Sequence, residues 1–227
     1  MNDADLTRDI VLFGTGLVAE VITVYLERFS DLNIVAYTVD AGFEPEDGQF
    51  NGKPVIPWDS LPEHYPADQV RLMGPLTYQR LNRIRRDRYL EGLALGYRFA
   101  SFIHPQSHIL TDQIGDHVII LENNVIQPFS SIGDNVILWS GNHIGHHVEL
   151  GNHCFVASMV GIAGSTKIGE ECYLGGQAGI THGLSIGDRC ALLNSVLVKQ
   201  DLPDDTVITG HPGDVKPYPS RRIAHLL

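Results

Sequence analysis

Between Ile114 and Val198 an aliphatic residue recurs at every sixth position: Ile114, Ile120, Ile126, Ile132, Leu138, Ile144, Leu150, Val156, Ile162, Ile168, Leu174, Ile180, Ile186, Leu192 and Val198. An α-helix places apolar residues at a mean spacing of about 3.6, and hairpin arrays have uneven turns, so neither accommodates an unbroken period of six. A fixed short period is the mark of stacked repeats, and six is the period of a parallel β-helix built from hexapeptides. Three hexads make one triangular coil of eighteen residues, so fifteen hexads predict about five coils.

A second column supports this reading. The residue four places after each aliphatic is small or apolar, as at Val118, Ser130, Val148, Ala178 and Val196, which suits the corners of a narrow prism. Glycine follows the aliphatic at 115, 133, 145, 151, 169, 175 and 187, where backbone freedom would help the chain turn. The three cysteines, Cys154, Cys172 and Cys190, are spaced by eighteen and should stack as buried fillers, one per coil. Their spacing matches no zinc or thioredoxin-like motif, and three unpaired thiols without a signal peptide suggest a reducing, cytoplasmic setting.

The first hundred residues follow a different pattern. Asp9 to Phe13 predicts a buried strand, Gly14-Thr15-Gly16 a turn, and the stretch through Val21, Val24 and Leu26 an amphipathic helix. A second strand from Asn33 ends at Val39-Asp40. Pro54-Val55-Ile56 and Val70 to Gly74 predict further short strands, and Leu76 to Tyr97 a long helix. Strand, glycine turn, helix, strand with an acid at its tip is the opening of a Rossmann-like unit. Gly14 and Gly16 would let backbone amides approach a phosphate. A hundred residues are too few for a full dinucleotide fold, so a single nucleotide is the expected ligand. The arginines at 80, 83, 85, 86 and 88 predict a solvated helix face, with a phosphate contact as the alternative.

The expected organisation is therefore a Rossmann-like unit over 1–100, a β-helix over 101–215 and a tail over 216–227. A formal net charge of −11 argues against nucleic acid and anionic membranes as partners. No apolar run approaches the ~20 residues that span a bilayer.

Taken together, the two parts resemble the hexapeptide-repeat sugar acyltransferases of bacterial glycan pathways, the NeuD/PglD type. The matching segments are Gly14-Thr15-Gly16, Asn51-Gly52-Lys53-Pro54-Val55, Ile103-His104-Pro105, Ser140 to His147, Val198 to Pro203 and Gly210-His211-Pro212-Gly213. The resemblance implies a left-handed β-helix, a homotrimer with active sites between subunits, and acetyl transfer from acetyl coenzyme A to an amine of a nucleotide-linked sugar. Sugar O-acetylation is the alternative. It implies His146 as the general base, with His143 as the fallback, and the Gly164 amide as the donor facing the thioester oxygen. Histidine suits the first role because its ordinary pKa of ~6.5 lies near working pH.

For the acceptor the resemblance implies Gly14, Gly16, Asp40 and Gly74 on the nucleotide, with Phe155 standing where relatives often carry a second histidine. For the coenzyme it implies Gly164, His182, Lys199 and Gly210. The usual basic residue after the Gly-x-Pro-Gly turn is Asp214 here, leaving Lys199 or Lys216 for the phosphates. The carboxylate that ordinarily follows the base is also missing. His147, Asn142, Glu149 or a group from a neighbouring subunit could replace it.

Two rival readings remain. A zinc-dependent carbonic anhydrase on a trimeric β-helix would use the pairs His146/His182 or His117/His153, but the third ligand is absent because residue 187 is Gly and residue 158 is Ser. No metal is expected. A non-catalytic nucleotide-binding protein leaves the His-rich turn unexplained.

Overall fold

The computed structural model describes residues 7–74 and 77–210. The expected tail over 216–227, and the segment His211 to Lys216 with Asp214, lie outside the described residues.

The amino-terminal part is a six-stranded sheet. In chain order it runs β1 (Asp9–Phe13), α1 (Leu17–Phe29), β2 (Asn33–Val39), β3 (Gln49–Phe50), β4 (Lys53–Pro57), α2 (Leu61–His64), β5 (Arg71–Met73), α3 (Arg83–Ala94) and β6 (Arg98–Phe99). The sheet order is β3-β4-β2-β1-β5-β6, parallel except for the β3–β4 pair. The chain steps from β1 to β2 on one side and returns to β5 on the other. That reversal opens a crevice at the carboxyl ends of β1, β2 and β5, the usual ligand position of an open parallel sheet.

The third helix is shorter than the apolar spacing predicts. Arg80, Leu81 and Asn82 all have positive φ, at 51°, 52° and 64°, so no right-handed helix can pass through them and α3 begins at Arg83. The arginines of this segment are not a solvated face either. Arg85 is 0 % exposed and spans from Thr77 O to the coils. Its guanidinium donates to the carbonyl oxygens of Asn135, His153 and Cys154 and to the side-chain oxygens of Asn82 and Asn135. Asn82 in turn donates to the carbonyls of Glu171 and Cys172 at 3.0 Å each. Three successive coils are thus clasped by one helix start. Burial without a carboxylate partner pulls the Arg85 pKa down to about 9.

From Phe102 the chain winds into a three-faced prism of two-residue parallel strands. The inward aliphatic column is almost wholly buried. Partners along each column are eighteen residues apart through the strict part of the repeat, as for Ile144 with Ile162 and Ile180. The repeat continues past both ends of that series in altered length. Ile103 pairs with Ile120 and Ile109 with Ile126, seventeen apart; Ile186 pairs with Leu202 and Leu192 with Ile208, sixteen apart. The five expected coils therefore gain a shortened rung at each end.

The corners explain themselves differently from the sequence reading. The glycine after each aliphatic is required by close approach, not by a special φ: a Cβ on Gly145 would lie 2.6 Å from the amide nitrogen of Gly164 in the next coil. The left-handed conformation falls two residues later. From His117 to Ser195 every sixth residue has positive φ, and twelve of these are not glycine, with φ between 53° and 65°. Each costs about 1 kcal/mol, offset by the ladder bonds that the sharp turn permits. The cysteines stack as expected, buried and free, with the Cys154 and Cys172 thiols donating to the carbonyls of Gly169 and Gly187 at 3.1 and 3.2 Å.

The sheet and the prism share one core. Ile22 and Leu26 of α1 pack with Ile119, Leu121, Ile137 and Phe155, which point outward from one prism face. Tyr25 Oη donates to Glu122 Oε2 at 2.6 Å across the same contact. We call this the covered face. Trp139 and Phe155 are packed here within the chain, so neither is left for a subunit contact to cover. Phe129 stays open, 71 % exposed.

Candidate active site

Along each coil the chain runs from the covered face to the face carrying His143–Ile144, then to the face carrying Glu149–Leu150. Residues 146, 164 and 182 occupy the same place in successive coils, at the corner between the latter two faces. That corner lies opposite the covered face.

The His146 ring leans along this column. A Cβ on Gly164 would sit 2.6 Å from His146 Cε1 and 2.7 Å from Nε2, so only glycine leaves room for the imidazole. The His182 ring approaches from the other side, its centroid 6.1 Å from that of His146. The backbone holds the column in register: Ser165 N donates to His146 O at 2.8 Å, and Gly183 N to Gly164 O at 3.0 Å. The His146 amide is taken by Gln127 Oε1 at 2.9 Å. The Gly164 amide donates to no group among the described residues. His147 completes the cluster: its Nδ1 lies 3.0 Å from His146 Nδ1, and its ring packs against Phe129, tilted by 33°, with centroids 4.9 Å apart.

His143 stands apart from this cluster. It projects outward from the first position of a two-residue strand, beside Gly161 in the paired position, and its side chain makes no hydrogen bond among the described residues. Lys199 follows Val198 one coil beyond Thr181 and is exposed, on the same corner as His182. Gly210 is elsewhere, against the carbonyl of Asn194 at the corner between the covered face and the His143 face.

The residues expected at the nucleotide form a second group. The Gly14 amide donates to Thr38 O at 2.8 Å, and Gly74, at φ 95°, sits with its Cα against Phe13, where a Cβ would be 3.0 Å from the carbonyl oxygen. Gly16 caps α1. Asp40 lies at the end of β2 and is engaged by Arg88 at 2.7 Å, the guanidinium also lying 5.4 Å over the Trp58 ring. These four residues meet at the crevice of the sheet. Phe155 joins neither group. It is 4 % exposed, stacked on Tyr173 and packed against a tilted Tyr78 ring.

A buried hydrogen bond links crevice and prism. The Gly74 amide donates to Nε2 of His117, a residue of the first complete coil, at 2.9 Å. His117 is buried and stacked flat on Tyr89. Burial and the nearby Arg85 charge push its pKa down to about 3, so it stays neutral with the proton on Nδ1. His153 is likewise pushed down to about 4 by burial and Arg85. Among the described residues of the single chain no group of three or more His, Cys, Asp or Glu side chains is arranged to hold an ion.

Residues 129–164 match the family model for the bacterial transferase hexapeptide, six repeats. The coils within that span are hexapeptide repeats of that kind. Solved structures share the fold, left-handed β-helix included, over about nine tenths of the chain. The acetyltransferase domain of PglB from Neisseria gonorrhoeae FA1090 is 23% identical over 91% of this chain and 98% of that one, with a TM-score of 0.75. PerB from Caulobacter crescentus, solved with CoA and GDP-perosamine, is 24% identical over 92% and 97%, with a TM-score of 0.77. WeeI from Acinetobacter baumannii AYE is 20% identical over 89% and 97%, at a TM-score of 0.56. No curated protein matches the chain. No helix among the described residues is long and apolar enough to cross a membrane.

Proposed function

We propose that the chain is an acetyl-coenzyme-A-dependent N-acetyltransferase acting on the amino group of a nucleotide-linked sugar, in the cytoplasmic supply of a surface glycan. The observation that carries this reading is the His146 imidazole resting on Gly164, whose amide is uncommitted. A base and a backbone donor side by side are what acyl transfer to an amine requires. The sugar nitrogen attacks the thioester carbon, His146 Nε2 takes the nitrogen's proton, and the carbonyl oxygen turns its developing charge to the Gly164 amide. Collapse of the adduct expels the coenzyme A sulfur, which leaves with the proton from His146. PerB, bound to CoA and GDP-perosamine, and PglB, bound to acetyl coenzyme A, support the donor and acceptor classes.

The nucleotide is assigned to the unit over 1–100, on Gly14, Gly16, Asp40 and Gly74, and the acetyl transfer to the unit over 101–215. His182 and Lys199, on the His146 corner, are assigned to the coenzyme, together with Gly210. In one chain the nucleotide crevice adjoins the covered face, while His146 is at the opposite corner. A homotrimer resolves this: a sugar held by one subunit reaches His146 of the next, and Gly210 on another corner meets the coenzyme across the same groove. Phe129 is then among the residues the contact covers.

The deciding experiment follows thiol release from acetyl coenzyme A against a panel of uridine-, thymidine- and guanosine-linked amino sugars and their hydroxyl counterparts. Turnover with an amino sugar, abolished in His146→Ala, is the expected result. Turnover only with hydroxyl sugars would move the assignment to O-acetylation, and silence with every acceptor would sink it.

A further inference from the structure

An imidazole can take a proton at Nε2 only when its own proton sits on Nδ1, and a free imidazole favours the opposite tautomer. Something must hold the Nδ1 proton of His146. Among the described residues one candidate is in place: Nδ1 of His147, at 3.0 Å. At that distance one proton lies between the two nitrogens, and its direction decides whether His146 Nε2 is a base or a donor.

We propose that His147 is the positioning residue of this site, accepting the His146 Nδ1 proton and so fixing His146 in the tautomer that is basic at Nε2. The inference rests on His146 being the base. Three features favour this direction. The other nitrogen of His147, Nε2, has no partner among the described residues and lies on an exposed side chain, so it carries its proton into water at no cost. The His147 residue is held at φ 58° in the left-handed turn and its ring packs, tilted by 33°, against Phe129, so its acceptor nitrogen is pre-aimed. When His146 takes the amine proton, the resulting imidazolium donates a charge-assisted bond to a neutral His147. In the reverse direction His146 Nε2 already carries a proton and can accept none.

The acceptor here is a neutral ring rather than a carboxylate. Any side chain that presents a lone pair at the place of Nδ1 should serve, and any that does not should fail. Asparagine and glycine both tolerate the left-handed conformation, so His147→Asn and His147→Gly separate the acceptor from the backbone. Two readouts apply to the full chain. Long-range proton–nitrogen correlation spectra of the imidazoles report the tautomer without any substrate. Steady-state rates use acetyl coenzyme A with GDP-perosamine, or with whichever uridine- or thymidine-linked amino sugar turns over.

The expected spectra show His146 protonated at Nδ1 in the native chain and in His147→Asn, and at Nε2 in His147→Gly. The expected kinetics show kcat reduced on the order of 10- to 1000-fold in His147→Gly, with KM unchanged and most of the rate recovered in His147→Asn. A native His146 protonated at Nε2, or a His147→Gly variant with undiminished kcat, overturns the proposal. If His146→Ala itself remains active, the assignment of the base fails instead, and the spectra still decide what His147 does.

Discussion

The imidazole of His146 and the backbone of Gly164 occupy each other's space: the position a Cβ would take at 164 is 2.6 Å from His146 Cε1 and 3.0 Å from Nδ1. Gly164→Ala should therefore swing the ring away without disturbing the prism, whose inner wall it does not touch. We expect kcat to fall by about 10²-fold or more, comparable with loss of a general base, while the melting temperature stays within a few degrees. An alanine variant with full activity would show that the ring moves aside during turnover.

The two candidate bases are separable by mutation. His146→Ala should lower kcat by ~10²- to 10⁴-fold and leave coenzyme A affinity, read by calorimetry, nearly unchanged. His143 is on the flat of a strand, outside the column of Gly164, and His143→Ala should cost less than about tenfold. Equal losses in both variants would mean that they act as one unit.

Arg85 predicts a large stability effect from a residue far from the chemistry. Its guanidinium satisfies carbonyls of successive coils while itself wholly buried. Arg85→Ala strands those acceptors and leaves a void, so a loss of roughly 3–5 kcal/mol in urea unfolding is expected. Arg85→Lys should recover little of it, because a single ammonium cannot reach the same set of oxygens.

Acid should loosen the joint between sheet and prism. His117 has its pKa lowered to about 3 by burial, against ~6.5 when unfolded. The unfolded chain then binds more protons, so stability is intact above pH ~6.5 and is lost as pH falls toward 3. Between pH 7 and pH 5 the loss from His117 should reach about 2 kcal/mol. His117→Gln keeps an acceptor for the Gly74 amide and does not titrate, so its unfolding free energy should fall less steeply over that interval. An unchanged slope would mean that His117 is not the acid-sensitive group.

The sequence disclosed most of the scaffold because a stacked prism repeats one local problem: the aliphatic wall, the small corner and the cysteine column all follow from Ile114 to Val198. The column of His146, Gly164 and His182 followed from the same spacing. What it could not disclose depends on contacts outside the period. Phe155 reads as an exposed aromatic on a flat face until α1 and Tyr78 are laid over it. Arg85 sits in a basic run that has the composition of a solvated helix, and only the three left-handed residues before it turn it into the prism. His117 and Gly74 are forty-three residues apart with no shared motif. The one available hint was the spacing of His117 and His153, two buried neighbours of Arg85, at two coils.

The rungs of seventeen and sixteen residues lie at the two ends of the prism, while the coils bearing His146, Gly164 and His182 keep strictly to eighteen. A single residue gained or lost between His146 and Gly164 would carry every later wall residue out to solvent and take the glycine from beneath the ring. Between those two positions the chain can change length only by a whole coil, and even that would move the base and its floor about 4.8 Å further apart. Drift in length is confined to the ends, where no column has to line up with the chemistry. For this scaffold an insertion is tolerated or ruinous according to which rung receives it, whatever residue it adds.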